Sequence, residues 1–466
     1  MPTESMIEYL LGEATRAGAE FMDVRINERT GTRVSVQDGR ADEIYSSKVF
    51  GAGIRVLIDG MWGFASTNIL ERDELSRCLK EAASMARAAK GRALERGEVA
   101  EPPAVRGRAA TPVRRDPRDV DVEQKVKAVF ELEKAARTLD PRMVNTIVGY
   151  GESILKETVA NTYGVYAESE AVRTIVSCFV TAKEGDLRQS AVEIRGGLKG
   201  FELLEGLDPE AFSVTAAKKA LGLLKAEKAP AGRFPVVFNP AVTGLFAHEA
   251  IGHNAEADGV WAGMSILEGK VGQQVAAETV SIYDDATIEG AYGSYAYDSE
   301  GVPGQRKCLV KDGVLQGFMH SLETAKKFEA APTGSARADG HQSRPIVRMS
   351  NTYIAPGEWS FEEIIRETRE GILLKGGYWG YVFVERGQFT CNAEEAWTIK
   401  NGELKEHLRN VSVSGLTLEA LQDIDAVSKD FELKLPGICG KGGQGMYVDG
   451  GGPYLRVKQL VVGGQR

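Results

Sequence analysis

The stretch "FPVVFNPAVTGLFAHEAIGHNAEAD", residues 234–258, passes from an apolar strand into a segment that carries two histidines and a glutamate within six positions. Asn239-Pro240 follows the apolar run directly, giving an N-cap and a proline at the first helical position, so a helix is expected from residue 240 to 252. The familiar zinc-peptidase pattern is His-Glu-x-x-His, but here three residues separate Glu249 from His253. An α-helix advances about 100° per residue, which puts His248 and His253 about 140° apart and points them to different sides. A π-bulge, at about 4.4 residues per turn, restores near-alignment. Gly252, directly before the second histidine, is expected to permit such a distorted or ending helix. The chain has five histidines, at 248, 253, 320, 341 and 407, so two of them framing a glutamate favours a metal site over coincidence. Glu249 is too close in sequence to His248 to share the ion easily, and is placed to lean over its open side as a general base.

A catalytic zinc usually takes three protein ligands and a water, so one more ligand is needed. The best candidate is Cys439, in "LPGICGKGGQGMYVDGGGPYLRV", where glycines 437, 440, 442, 443 and 445 are expected to let the backbone turn sharply and approach an ion. Cys391, beside "NAEEAW", remains as its rival. Cys78 falls on a helix and Cys178 and Cys308 fall in strand-like runs, so these read as structural. The glycine spacing does not match a phosphate-binding loop, because Lys441 is not followed by Ser or Thr. Cys439 also lacks the Cys-x-x-Cys partner of a redox thiol.

At 466 residues the chain is long for one core, and with 43% hydrophobic and 26% charged residues it has the composition of a folded globular protein. A formal charge of −9 argues against a nucleic-acid binder, which needs surplus Lys and Arg on one face. The arginines of "RGRAATPVRRDPR", residues 106–118, lack interleaved aromatics and read as part of a Pro/Arg linker spanning about 92–118. No window approaches the roughly 20 apolar residues of a membrane span, and the N-terminus lacks a signal-peptide pattern. A cytoplasmic location without membrane attachment is therefore expected. Five scattered cysteines form no disulfide framework.

Up to residue 230 the pattern is a helix near 4–17, short β-rich runs punctuated by Asp38-Gly39 and Asp59-Gly60, and a helix near 71–90. The order then recurs, with a helix near 122–138, further β-rich runs and a helix near 209–226. The expectation is an α+β fold in two domains. Residues 1–230 form an α+β domain of antiparallel strands flanked by helices, with a possible internal duplication. Residues 231–466 form a mainly-β domain that carries the metal site. Its few helices are expected near 240–252, 322–329 and 361–370.

"HEAIGH", "DSEGVPGQR", "PTGSARADGHQSRPIVRMSNTYI", "GQFTCNAEEAWTIKNG" and "PGICGKGGQG" occur in an order that resembles the TldD/PmbA family of metallopeptidases across the whole C-terminal half. The N-terminal half resembles it more loosely, through "FMDVRIN" and the turn at Asp38-Gly39. The family's catalytic subunit carries His-Glu-x-x-x-His and a cysteine near the C-terminus. The resemblance therefore implies metal ligands His248, His253 and Cys439, with Glu249 as base; just beyond the motif the chain departs from the family at Asn254 and Ala257, where glycines are expected. It further implies Zn(II), with Fe(II) as the other thiolate-tolerant ion, and an extended or unfolded peptide as substrate, leader peptides included. The implied assembly is a homodimer or a heterodimer with a TldE/PmbA-like subunit. Arg337 and Arg348, in the family-like stretches, are candidates for substrate contact, with ordinary surface arginines as the alternative reading. Two rival readings are a noncatalytic scaffold subunit and a dipeptidyl-peptidase of the His-Glu-x-x-Gly-His type. The latter would need an acidic pair about 50 residues downstream, and "YDSEGVPGQRKCLV" has none.

Overall fold

Asp38-Gly39 and Asp59-Gly60 each take positive φ at both residues, 49° and 78° in the first and 54° and 74° in the second. This is the backbone that a two-residue hairpin needs. In the computed structural model, which describes residues 2–91 and 95–464, these turns join the strands Phe21–Gln37, Arg40–Ile58 and Met61–Thr67. Met143–Asn161, Tyr166–Glu184 and Leu187–Gly197 form a second antiparallel set. The two sets belong to one sheet and meet where Phe21–Gln37 pairs antiparallel with Met143–Asn161. Helices Glu4–Arg16 and Arg72–Ala88 cover the first set, burying Leu10, Leu75 and Leu79 against Val24 and Ile54. Helices Val122–Arg137 and Thr215–Lys225 cover the second, burying Val129 and Ala217 against Val148 and Val176. Helix, three strands and helix thus occur twice about one strand pair.

The stretch read as a linker, about 92–118, is more ordered than expected. Residues 92–94 lie outside the described residues, but Arg106–Ala110 forms a strand parallel to Tyr166–Glu184. It is bound through its backbone at a sheet edge, and so carries no apolar alternation for a sequence reading to detect.

In the C-terminal part, five strands close on themselves. Glu370–Phe383 pairs with Gly232–Phe238, which pairs with Leu455–Gly464, then Val411–Leu416, then Gln388–Lys400, which returns to Glu370–Phe383. A second sheet contains Ile282–Asp285, Arg306–Lys311, Asn351–Ile354 and Gln444–Gly452. The helix Pro240–Ala247 packs between this sheet and the closed one, and all eight of its residues are buried. Phe246 meets Phe238 and Phe389 edge-on, with ring centroids 5.5 and 5.0 Å apart. On its other side the helix lies against the backbone of the "VDGGGP" strand, where a Cβ at Gly244 would come 2.3 Å from the Gly451 nitrogen. Those glycines serve close helix–strand packing. Two short helices, Ala257–Trp261 and Thr417–Gln422, were not expected, because five or six residues are too few to show a helical period. Among the described residues no helix is long and apolar enough to cross a membrane.

Candidate metal centre

The Asn239 side chain accepts the Val242 N–H at 3.1 Å and starts the helix at Pro240. The α-helical turn ends at Ala247, gives way to a π-helical turn over His248–Gly252, and tightens to a 3₁₀ turn over His253–Ala255. The wider turn absorbs the extra residue between the histidines. Their rings face each other with centroids 4.9 Å apart and planes at 87°. Gly252 acts differently from the expectation. Its φ is an ordinary helical −52°, and what demands glycine is space, since a Cβ there would lie 2.0 Å from Met349 Sδ.

Cys439 sits in the strand Gly437–Lys441, which forms a hairpin with Gln444–Gly452. Gly442 and Gly443, at φ 58° and 76°, make the turn. Gly440 has no protein neighbour that a Cβ would crowd. Cys439 Sγ lies 3.5 Å from His253 Nε2. One donor atom from each of His248, His253 and Cys439 falls within 4.8 Å of the others. Zinc bonds of about 2.3 Å to sulfur and 2.0–2.1 Å to nitrogen put tetrahedral S and N ligands about 3.6 Å apart, so the donor set fits a single ion. Burial alone would push the Cys439 thiol up, but the hydrogen bonds and charges of His248 and His253 bring it down to about 5. Burial likewise works against protonation of His253, and Cys439 and Glu256 outweigh it, holding the imidazole well above its usual range.

Glu249 is 9% exposed and lines the same groove as the two histidines. Its side chain runs over Gly380, where a Cβ would come 3.0 Å from Glu249 Cγ. Cys391 lies in the strand Gln388–Lys400 and is fully buried; burial, with the charge of Glu249 nearby, pushes its thiol far up. It does not join the donor cluster.

Three charged residues around the cluster were not singled out as partners of the ligands. Glu256 Oε2 is 3.1 Å from His253 Nδ1 and 3.3 Å from Lys441 Nζ. Lys441 Nζ also donates to Asp258 Oδ1 at 2.6 Å. Arg348 Nε faces Glu256 Oε1 at 3.9 Å, while its Nη2 and Nη1 donate to the carbonyl oxygens of Cys439 and Gln444 at 2.5 and 3.1 Å. Burial would raise the Glu256 carboxyl, but His253, Lys441 and Arg348 hold it below its usual range. The available signals were local: Glu256 follows His253 by three residues, and Lys441 follows Cys439 by two, on the same face of its strand. Arg348, a candidate for substrate contact or an ordinary surface arginine from its sequence, is a fully buried brace. Arg337 is a second one, donating from Nη1 to the carbonyls of Met349 and Tyr447 at 2.6 and 2.8 Å.

The groove over the cluster holds about 940 Å³ and is lined by His248, Glu249, Trp379, Tyr381 and Ile438, with Val192 and Ile194 of the N-terminal sheet forming the far wall. A second groove of about 1010 Å³, near Arg114, Lys199 and Tyr295, contains none of the cluster residues.

Family models described as PmbA/TldA metallopeptidase domain 1, central domain and C-terminal domain match residues 22–86, 115–224 and 231–464. The chain belongs to the TldD/PmbA family. It is similar to a metalloprotease of Methanothermobacter thermautotrophicus, 41% identical over 96% of each chain. A metalloprotease of Methanocaldococcus jannaschii is 38% identical over 95% of this chain and 97% of its own. A Saccharolobus solfataricus relative named a zinc metalloprotease TldD homolog is 28% identical over 98% and 100%. Among solved structures, a Thermotoga maritima protein titled as a proposed modulator of a DNA gyrase superposes with a TM-score of 0.80 at 26% identity, covering 98% of this chain and 99% of that one. The TldE of Thermococcus kodakarensis shares the fold, with a TM-score of 0.78 at 21% identity over 98% and 100%.

Proposed function

We propose that this TldD/PmbA-family chain is a peptidase that holds a zinc ion between His248, His253 and Cys439 and uses Glu249 as general base. The observation that carries the reading is the convergence of donors from distant segments: His253 and Cys439 are 186 residues apart in sequence and 3.5 Å apart in space. A relative named as a zinc metalloprotease supports zinc, and a thiolate with two imidazoles suits that ion, or Fe(II), better than the oxygen-seeking Mg or Ca.

Zinc bound there would supply Lewis acidity toward a peptide carbonyl and a water. Glu249 takes the proton from that water on its carboxylate and returns it to the leaving amine, a relay worth about 10²–10⁴-fold. The substrate is an extended peptide, as in leader-peptide or small unfolded-protein processing. The Cys439 strand pairs with Gln444–Gly452 on one side only among the described residues, and Ile438 on it is 67% exposed. That free edge suits backbone pairing with an unfolded chain, which reads little sequence. Association with itself or with a TldE/PmbA-like subunit is part of the same reading, supported by the fold shared with TldE and by the exposed Trp379, Tyr381 and Phe383 near the groove.

The test uses two variants. Glu249→Gln is expected to keep stoichiometric zinc and lose hydrolysis of an unstructured peptide by at least 100-fold, at the low end of that range. Cys439→Ala is expected to lose the metal. Unchanged turnover in the first rejects the base, and retained stoichiometric zinc in the second rejects the ligand set.

A further inference from the structure

We infer that Glu256 is a positioning residue for the metal centre: its carboxylate fixes the tautomer and orientation of His253 and, through Lys441 and Arg348, locks that imidazole to the strand that carries Cys439. The inference rests on the metal reading above and goes beyond its ligand set.

A neutral imidazole carries one N–H, and an ionised carboxylate can only accept. With Glu256 Oε2 at 3.1 Å from Nδ1, the neutral imidazole that a metal ligand must be would carry its proton on Nδ1 and leave the Nε2 lone pair for the ion. Nε2 is the nitrogen that faces Cys439 Sγ. A carboxylate behind a metal-bound imidazole sets ring orientation and raises ligand basicity.

Glu256 is 2% exposed, and a carboxylate so buried needs partners. Both of its cations engage the Cys439 hairpin. Lys441 stands two residues along the same strand, and Arg348 grips the carbonyls of Cys439 and Gln444 on the two strands of the hairpin. The helical ligand and the strand ligand are therefore held in register by one ionic cluster, independently of the ion they share. A role confined to stitching the fold would need the cations but would not need the acid to face Nδ1.

The experiment measures Zn(II) affinity by chelator competition for the full-length protein and for Glu256→Gln and Lys441→Met, together with thermal unfolding of each in metal-free form. The thiolate absorption of the Co(II)-loaded proteins reports Cys439 ligation. The expected result is a fall in affinity of about 10- to 100-fold for Glu256→Gln and a smaller fall for Lys441→Met, larger in each case than the accompanying loss of metal-free stability, with the Co(II)–thiolate band retained. Wild-type affinity in Glu256→Gln overturns the inference. Should that variant not fold, wild-type affinity in Lys441→Met overturns it. A fall in affinity accompanied by an equal loss of metal-free stability assigns Glu256 to the fold alone and also overturns it. Failure of the underlying metal reading looks different, since the unmodified protein would then bind no zinc or Cys439→Ala would bind it equally well.

Discussion

At Gly252 one missing methyl group decides whether the π-turn can close. Gly252→Ala places a Cβ where Met349 Sδ stands 2.0 Å away, so the sulfur must move and strain its surroundings. The expected cost is about 1–3 kcal/mol in urea unfolding, and a variant as stable as the parent would show that the contact is soft. His320 offers a test through pH. Its buried ring is held down to about 4, against about 6.5 in the unfolded chain, so the folded state prefers it neutral. The stability this contributes is intact above pH 6.5 and is lost as pH falls from there toward 4, by up to about 3 kcal/mol. His320→Gln should flatten the melting curve against pH in that window, and equal slopes would contradict the assignment. At this scale the spacing of His248 and His253 was legible because helix geometry is periodic and a mismatch of one residue has few remedies. The setting of Arg337 and Arg348 was not. An arginine outside a long periodic element gives no sign that it will be buried, since the partners of these two braces include carbonyls about 90–110 residues away in sequence.

At the scale of elements, the helix Pro240–Ala247 begins where Asn239 caps it and where Pro240 needs no donor. Asn239→Ala should cost about 1 kcal/mol and lower the denaturation midpoint while leaving metal stoichiometry intact. Loss of metal at full stability would mean that the cap positions the histidines more directly than its distance suggests. Strong local signals made such elements readable: an N-cap, a positive-φ Asp-Gly turn, a long amphipathic run. The strand Arg106–Ala110 lacked them, being joined to the sheet mainly by its backbone. The closed five-stranded sheet was equally hidden. Its closure depends on Gly232–Phe238 pairing with Leu455–Gly464, a contact across more than 200 residues that no local pattern announces.

Across the whole molecule, the N-terminal sheet and the C-terminal part are joined through buried charge. Arg55 Nε donates to Asp23 Oδ2 at 3.0 Å, and its Nη2 reaches Glu300 Oε1 at 2.7 Å, with both acids buried. Arg173 of the sheet donates to the carbonyls of Tyr292 and Ser294 at 3.0 and 2.6 Å. Beside the groove, the Val192 N–H and Lys219 reach Glu394, so the wall formed by Val192 and Ile194 stands fixed against the strand Gln388–Lys400, which pairs with the strand that carries Trp379 and Tyr381. Arg55→Met strands two buried carboxylates and should destabilise the protein by about 3–5 kcal/mol, read as a lower thermal midpoint. A midpoint within about 1 °C of the parent would show that water screens the pair. The α+β character and the repeated order of helices and strands were visible along the chain, because each set is local. The way the two parts enclose one groove was not, since it is written in pairings between residues such as Arg55 and Glu300, 245 positions apart.

The most direct test of the account is X-ray absorption at the zinc edge of the stoichiometrically loaded protein. One sulfur at about 2.3 Å with nitrogen or oxygen neighbours at about 2.0–2.1 Å, the sulfur lost in Cys439→Ser, is the predicted result. A shell of nitrogen and oxygen alone in the unmodified protein would contradict it.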